Sequence, residues 1–206
     1  MYWKISSLVI FALFCLWVWY ESHRTVNVYK ARERAFWDRE ARANSTRRKS
    51  LDGLAYITVP TDLPTDLYPD NININSYKEI IAELSRDKIV NFTGFTNTDL
   101  KLEYGAPNIG ELTRYDQNYT TLITTLQKWA DELMELGSPE EAYKIMEYLI
   151  SVKCDIGKTY RILGRHYLDT GNTDGFDKLV KTIGETRSLN QDYIKGDLLK
   201  MKEASN

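Results

Sequence analysis

The sequence predicts an all-α protein: an apolar N-terminal helix, a basic helical stalk, and a C-terminal set of antiparallel helix hairpins. Three observations predict it. Ile5 to Tyr20 (ISSLVIFALFCLWVWY) carries no charge. Glu21 to Lys49 contains neither proline nor glycine and is rich in Ala, Arg and Glu, all compatible with helix. From Arg114 onward apolar residues recur at steps of three and four, interrupted by Gly137 and Gly171.

The first element is expected to be a membrane anchor. Sixteen helical residues span about 24 Å, short of the roughly 30 Å hydrocarbon core. Met1 to Trp3 and a snorkelling Lys4 bring the length into range. Tyr2 and Trp3 at one end, and Trp17, Trp19 and Tyr20 at the other, match the aromatic belts of two membrane interfaces. A cleaved signal peptide needs small residues at its cleavage site, and Trp-Val-Trp-Tyr-Glu does not offer them. A lipoprotein reading through Cys15 fails on Phe14 before it and the apolar run after it. The expected setting is a single-pass anchor in the cell membrane. Arg24, Lys30, Arg32, Arg34 and Arg39 outnumber Lys4 on the other flank, which favours a cytoplasmic C-terminal domain. Against it stands the short basic N-terminus, which many single-pass anchors keep inside; the three Asn-x-Ser/Thr triplets at Asn44, Asn91 and Asn118 are of a kind common by chance.

Charge divides the chain the same way. The formal net charge of −2 over 206 residues conceals a stalk, 21–50, with nine Lys/Arg against four Asp/Glu. Residues 51–206 hold 17 basic and 25 acidic residues, a net −8. An acidic body excludes nucleic acid as its expected partner. The stalk either attracts anionic lipid head groups or stays solvated and sets topology. Arg47, Arg48 and Lys49 offer a protease-sensitive linker.

Four segments follow: the anchor 1–20, the stalk 21–50, an irregular linker or capping region 51–110, and a helical repeat domain 111–206. In the third, Gly53, Pro60, Pro64 and Pro69 break helices. Leu54 to Val59 reads as a short strand or an extended arm, and Asn71 to Asn75 as extended or turn-like. Ser76 and Glu79 form a capping-box pattern before Ile80, Ile81 and Leu84. Asn91 to Gly94 reads as a turn. Thr98 to Tyr104 is a short helix ended by Gly105 and Pro107.

In the fourth segment Tyr115, Tyr119, Leu122, Leu126, Trp129 and Leu133 line one helix face. Gly137 stops that helix. Ser138-Pro139-Glu140-Glu141 opens the next, whose face is Ala142, Ile145, Met146 and Leu149. So short a loop requires antiparallel helices. Asp155 is placed to cap a third helix with Tyr160, Leu163, Gly164 and Tyr167, stopped by Gly171. Asn172 caps a fourth with Phe176, Leu179, Val180 and Ile183. Ser188 to Gln191 opens a last helix reaching about Glu203. Gly137 and Gly171, Trp129 and Leu163, Leu133 and Tyr167, and Ala142 and Phe176 are each 34 residues apart.

A 34-residue period with two helices per unit resembles the tetratricopeptide repeat. Leu163-Gly164-x-x-Tyr167, followed by Gly171, is its most recognisable fragment here. The likeness covers roughly 123–190. It departs from the pattern at Phe176, where a small residue is usual, and at Cys154 and Ser188, where a closing proline is usual. The layout also resembles uncharacterised membrane-anchored helical-repeat proteins of clostridium-like bacteria, on Asp99 to Gly105 and Tyr115 to Asn118; that likeness implies no activity. By the repeat likeness the first helix of each unit lines a groove. This nominates Gln127, Asp131, Lys158, Arg161 and Arg165, the last three suited to an acidic peptide or a terminal carboxylate.

Catalytic chemistry has little to work with. Two histidines, His23 and His166, cannot make a multi-histidine metal site, and Cys154 lacks companions for zinc. Near a helix start its thiol has either a lowered pKa or a plain packing role. No phosphate loop and no nucleophile elbow occur. The expectation is an interaction module without cofactor, metal or catalysis. Its alternative is a structural subunit of a membrane complex, with the anchor and stalk making the key contacts.

Overall fold

The computed structural model describes residues 2–205, with side chains from Val9 onward. Eight α-helices follow in order: α1 Tyr2–Ser45, α2 Ile72–Leu84, α3 Asn97–Tyr104, α4 Ile109–Glu135, α5 Pro139–Ser151, α6 Gly157–Asp169, α7 Thr173–Gly184 and α8 Gln191–Ser205. No strand occurs among the described residues.

The apolar run and the stalk are one continuous helix, as the absence of helix breakers requires. Among the described residues no helix is long and apolar enough to cross a membrane. The Tyr2–Trp3 pair and Lys4, on which the spanning length depends, lie outside the described side chains. From Val9 to Trp37 the large apolar side chains of α1 are exposed. The helix meets the rest of the protein at its C-terminal end. Arg39 forms an ion pair with Asp99, Thr98 donates to Glu40, Lys101 donates to Asn44 at 2.8 Å, and Ala43 is fully buried. The basic triplet beyond it is pinned, not loose. Lys49 N–H donates to Tyr104 O at 3.1 Å, and its carbonyl accepts from Asn108 Nδ2 at 2.8 Å.

Residues 51–110 are far more ordered than a linker. Leu54 to Val59 is the extended arm and not a strand; Ile57 N–H donates to Ile89 O at 2.9 Å, and Tyr148 Oη donates to Thr58 O at 2.8 Å. α2 starts at Ile72, four residues before the Ser76 capping-box pattern. Asn71 is its cap, accepting from Ile74 N–H at 2.9 Å. Ile74 is buried with Ile81 and Leu84 against α4; the Asn-Ile alternation is therefore a helix's first turn. α3 carries a full capping box, Thr96 with Asp99. α4 begins at Ile109, five residues before Arg114, led in by a 3-10 turn at Ala106–Asn108 that contains Pro107. It thereby crosses the expected 110/111 boundary.

The C-terminal helices pack in succession, α4 on α5, α5 on α6, α6 on α7, with α8 against both α6 and α7. Their ends explain the short connections. Gly137 has φ +80° and Gly171 φ +70°. In each case the residue after the glycine closes the helix with a 6→1 bond: Ser138 N–H to Leu133 O at 2.9 Å, and Asn172 N–H to Tyr167 O at 2.8 Å. α5 ends the same way without glycine. Lys153 takes φ +58°, and Cys154 N–H donates to Leu149 O at 3.1 Å.

Two helix starts differ from expectation. Ile156 occupies the position before α6, and the Asp155 carboxylate instead accepts from Ser188 Oγ at 2.7 Å. That bond ties the α5–α6 connection to the α7–α8 connection. Ser188 accordingly sits in a turn, and α8 begins at Gln191.

The principal core joins Trp129, Leu126, Leu133, Ile145, Met146, Leu149, Tyr160, Leu163, Phe176, Ile183 and Leu198. α8 seats on Gly164, where an added Cβ would lie 2.8 Å from Leu198 Cδ2. A smaller cluster of Leu54, Val90, Phe92, Leu100, Leu112 and Tyr115 sits under the α3 side.

The caps give a paired prediction. Nothing lies within 4 Å of a Cβ added at Gly137, so Gly137→Val should cost only the left-handed backbone, about 1–2 kcal/mol. Lys153→Gly should relieve the same kind of strain and stabilise by about 1 kcal/mol. Urea unfolding of both variants measures this; shifts of the same sign would refute it.

Candidate interaction surfaces

The five residues nominated for a groove fall on α4 and α6, and the structure gives most of them internal work. Gln127 is buried, accepting from Thr159 Oγ1 and donating to Asp131 Oδ1 at 2.9 Å. Asp131 is held on its other oxygen by Lys158 Nζ at 2.8 Å. These contacts make one chain of polar groups between α4 and α6. Arg161 reaches α8 instead, 3.3 Å from Asp197. Arg165 is exposed and forms no ion pair among the described residues. Two cations of the row thus already have carboxylate partners. Lys158 and Arg161 are each about half exposed, and pairs of that kind contribute at most about 1 kcal/mol. An acidic ligand could therefore exchange with Asp131 or Asp197 at modest cost.

A second surface was not visible in the sequence. A cleft of about 510 Å³ opens between the extended arm, the Asn91–Phe95 turn, the end of α5 and the α7–α8 connection. Apolar Ala55, Ile57 and Val152 line it alongside Lys153 and Arg187. Lys153 is paired with Glu185 at 3.2 Å. The Arg187 guanidinium lies 4.6 Å from the centre of the Phe95 ring. Asn91 organises the floor: its Nδ2 donates to Tyr119 Oη at 2.9 Å and Val152 O at 3.1 Å, while Oδ1 accepts from Thr93 N–H at 2.9 Å. The one local hint was Asn-Phe-Thr-Gly as a turn. The amide nitrogen of this sequon is committed inside the protein.

Cys154 is fully buried, and burial pushes its thiol up to about 12, the opposite of a reactive thiolate. Tyr119 and Tyr167 have phenols raised far above the ordinary range, first by burial. Asp116 is raised by burial, partly offset by the Phe92 N–H. Among the described residues no group of three or more His, Cys, Asp or Glu could hold a metal ion. His166 stacks on Tyr143 with ring centres 3.9 Å apart. Comparison with protein-family models, with curated proteins and with solved structures finds no match to this chain.

Proposed function

We propose that this chain is a membrane-tethered protein–protein interaction module without catalysis. Residues 1–20 anchor it, α1 carries the body away from the bilayer, and tetratricopeptide-like helix pairs α4–α5 and α6–α7 offer a surface to a protein or peptide partner. The observation that carries this reading is the way α1 is attached. Its last turns are clamped by Arg39, Glu40, Ala43 and Asn44, whereas its apolar side chains from Val9 to Trp37 have no partner in the fold. A helix so built holds a body at a distance from whatever receives its apolar end. The 34-residue recurrence and the two matching glycine caps support the repeat reading. The basic flank after Tyr20 favours the cytoplasmic side of the cell membrane for the body.

The geometry limits the lipid role of the stalk. At 1.5 Å per residue Lys30 stands about 15 Å beyond Tyr20, and Arg39 about 28 Å. Screening at physiological salt acts over about 8 Å. Only the first cations of the stalk can then feel anionic head groups.

Crosslinking in native membranes followed by mass spectrometry tests the module. The expected result is a partner whose capture weakens at least tenfold in Arg161→Glu, Arg165→Glu. Full capture by that variant would discard the α6 surface. The structural-subunit reading draws on the exposed Tyr29, Phe36 and Trp37 of α1. Exchanging residues 1–20 for an unrelated transmembrane helix separates the two, since only a subunit held by its anchor loses function.

A further inference from the structure

The stalk and the body carry complementary surfaces that α1's own attachment leaves apart. On α1, residues 24–39 hold five Lys/Arg against two Asp/Glu. Lys30, Arg32 and Arg34 form no ion pair among the described residues. Val26, Tyr29, Phe36 and Trp37 recur at helical spacing, with Trp37 61% and Tyr29 65% exposed. Aromatic residues and arginine are what protein interfaces concentrate.

The body has the counterpart. Residues 62–73 are folded onto the α4–α5 corner. Tyr68 Oη donates to Leu136 O at 2.9 Å, and Asn71 and Asn73 donate to the two oxygens of Glu132 at 2.9 and 3.1 Å. This brings together Asp62, Asp66 and Asp70 with Glu132, Glu135, Glu140 and Glu141, against two lysines: Lys144, itself paired with Glu141 at 2.7 Å, and Lys78, whose ammonium lies 3.4 Å from Leu67 O. The Lys144 ammonium feels both Asp62 and Glu140 as well. Three apolar side chains stand exposed among these carboxylates: Ile72 at 85%, Leu136 at 38% and Leu67 at 36%.

We propose that these two surfaces meet between copies of the chain: the side of one α1 that carries Val26, Tyr29, Lys30, Arg34 and Trp37 docks on the acidic α4–α5 corner of a second copy, and reciprocally. The other occupants fit less well. Two stalks of net +5 repel each other. A lipid surface lies too far from Arg32, Arg34 and Trp37. A second copy supplies the opposite charge. The reciprocal contact is a closed two-fold dimer, and opposite charges speed and orient its formation. This deepens the reading of the chain as an interaction module by naming its partner. It does not depend on the α6 surface, but it rests on residues 1–20 anchoring the chain, which is what keeps a lipid surface away from the middle of α1.

The test uses the full chain in detergent micelles, mixing ¹⁴N and ¹⁵N protein in equal parts. Carbodiimide coupling should join Lys30 of one isotope to Asp66, Asp70, Glu135 or Glu140 of the other. Mass photometry should show a dimer that dissociates as salt is raised. Lys30→Glu, Arg34→Glu should weaken the dimer at least tenfold, with unchanged helix content because neither side chain is packed in the fold. Adding Asp66→Arg, Asp70→Arg to that variant should restore it. Coupling confined to single-isotope products, stalk-to-stalk coupling, a monomer at every concentration, or a dimer indifferent to charge reversal would each overturn the proposal. Because partner capture in native membranes is a separate measurement, failure here leaves the module reading standing on its own test.

Discussion

Gly105→Ala is expected to unclamp α1 from the body while leaving the principal core folded. Gly105 has φ +96° and ψ 140°, a backbone that suits glycine alone. A Cβ there would lie 2.2 Å from the Arg47 carbonyl oxygen and 2.8 Å from its carbon. Those are backbone atoms, so no side chain can swing aside. The segment that would move is held by Ala106 N–H to Thr46 O at 3.1 Å and by the Lys49 pairing with Tyr104. Backbone strain of this kind costs about 1–3 kcal/mol, and loss of those bonds adds to it. The readout is limited trypsin digestion. Arg47, Arg48 and Lys49 are pinned in the parent and should resist cleavage there. In Gly105→Ala they should be cut at least tenfold faster, with the fragment from about residue 50 onward surviving. Equal cleavage rates would show that the clamp does not depend on this close approach.

Trp129→Ala should cost the body most of its stability. Trp129 is fully buried at the centre of the principal core. Removing a buried indole costs about 3–5 kcal/mol, from lost burial and from the cavity left behind. In a chain of this size that lowers the melting temperature by roughly 10 °C. Trp129→Phe should cost less than half as much. The indole Nε1 is buried and has no hydrogen-bond partner among the described residues, so phenylalanine gives up ring volume but no polar contact. Thermal unfolding of the two variants decides it. A phenylalanine as damaging as alanine would mean that the Nε1 group has a partner after all.

The sequence was most legible where one residue's chemistry decides the structure. Gly137 and Gly171 stop their helices because a positive φ suits glycine, and the backbone adopts it at both. Pro139 and Asn172 opened helices for equally local reasons. Legibility failed where a distant neighbour decides. The Asn71–Asn75 alternation looks extended until the burial of Ile74 against α4 turns it into a helix. Lys153 gives no local sign of its left-handed backbone; packing around Leu149 and Cys154 imposes it. Gln127 and Asp131 share a face of α4 as their spacing of four implies, and Lys158 joins them from α6. The buried Thr159 that holds Gln127 and the Asp197 that holds Arg161 come from other helices, and spacing along one helix cannot show them. The stalk's helicity was written in its composition, but its clamp depends on Asp99, Thr98 and Lys101, some sixty residues further on.

An unbroken α1, clamped at Arg39 to Asn44, also sets an angle. Each residue of an α-helix advances about 1.5 Å and turns about 100°. One residue added between Tyr20 and Arg39 would therefore barely lift the body, yet would swing it more than a quarter turn about the helix axis. Seven added residues would lift it about 10 Å and return it to within about 20° of its starting bearing. The length of this segment is thus a compass heading more than a height: it sets the bearing of the body about the helix axis relative to the apolar start of α1.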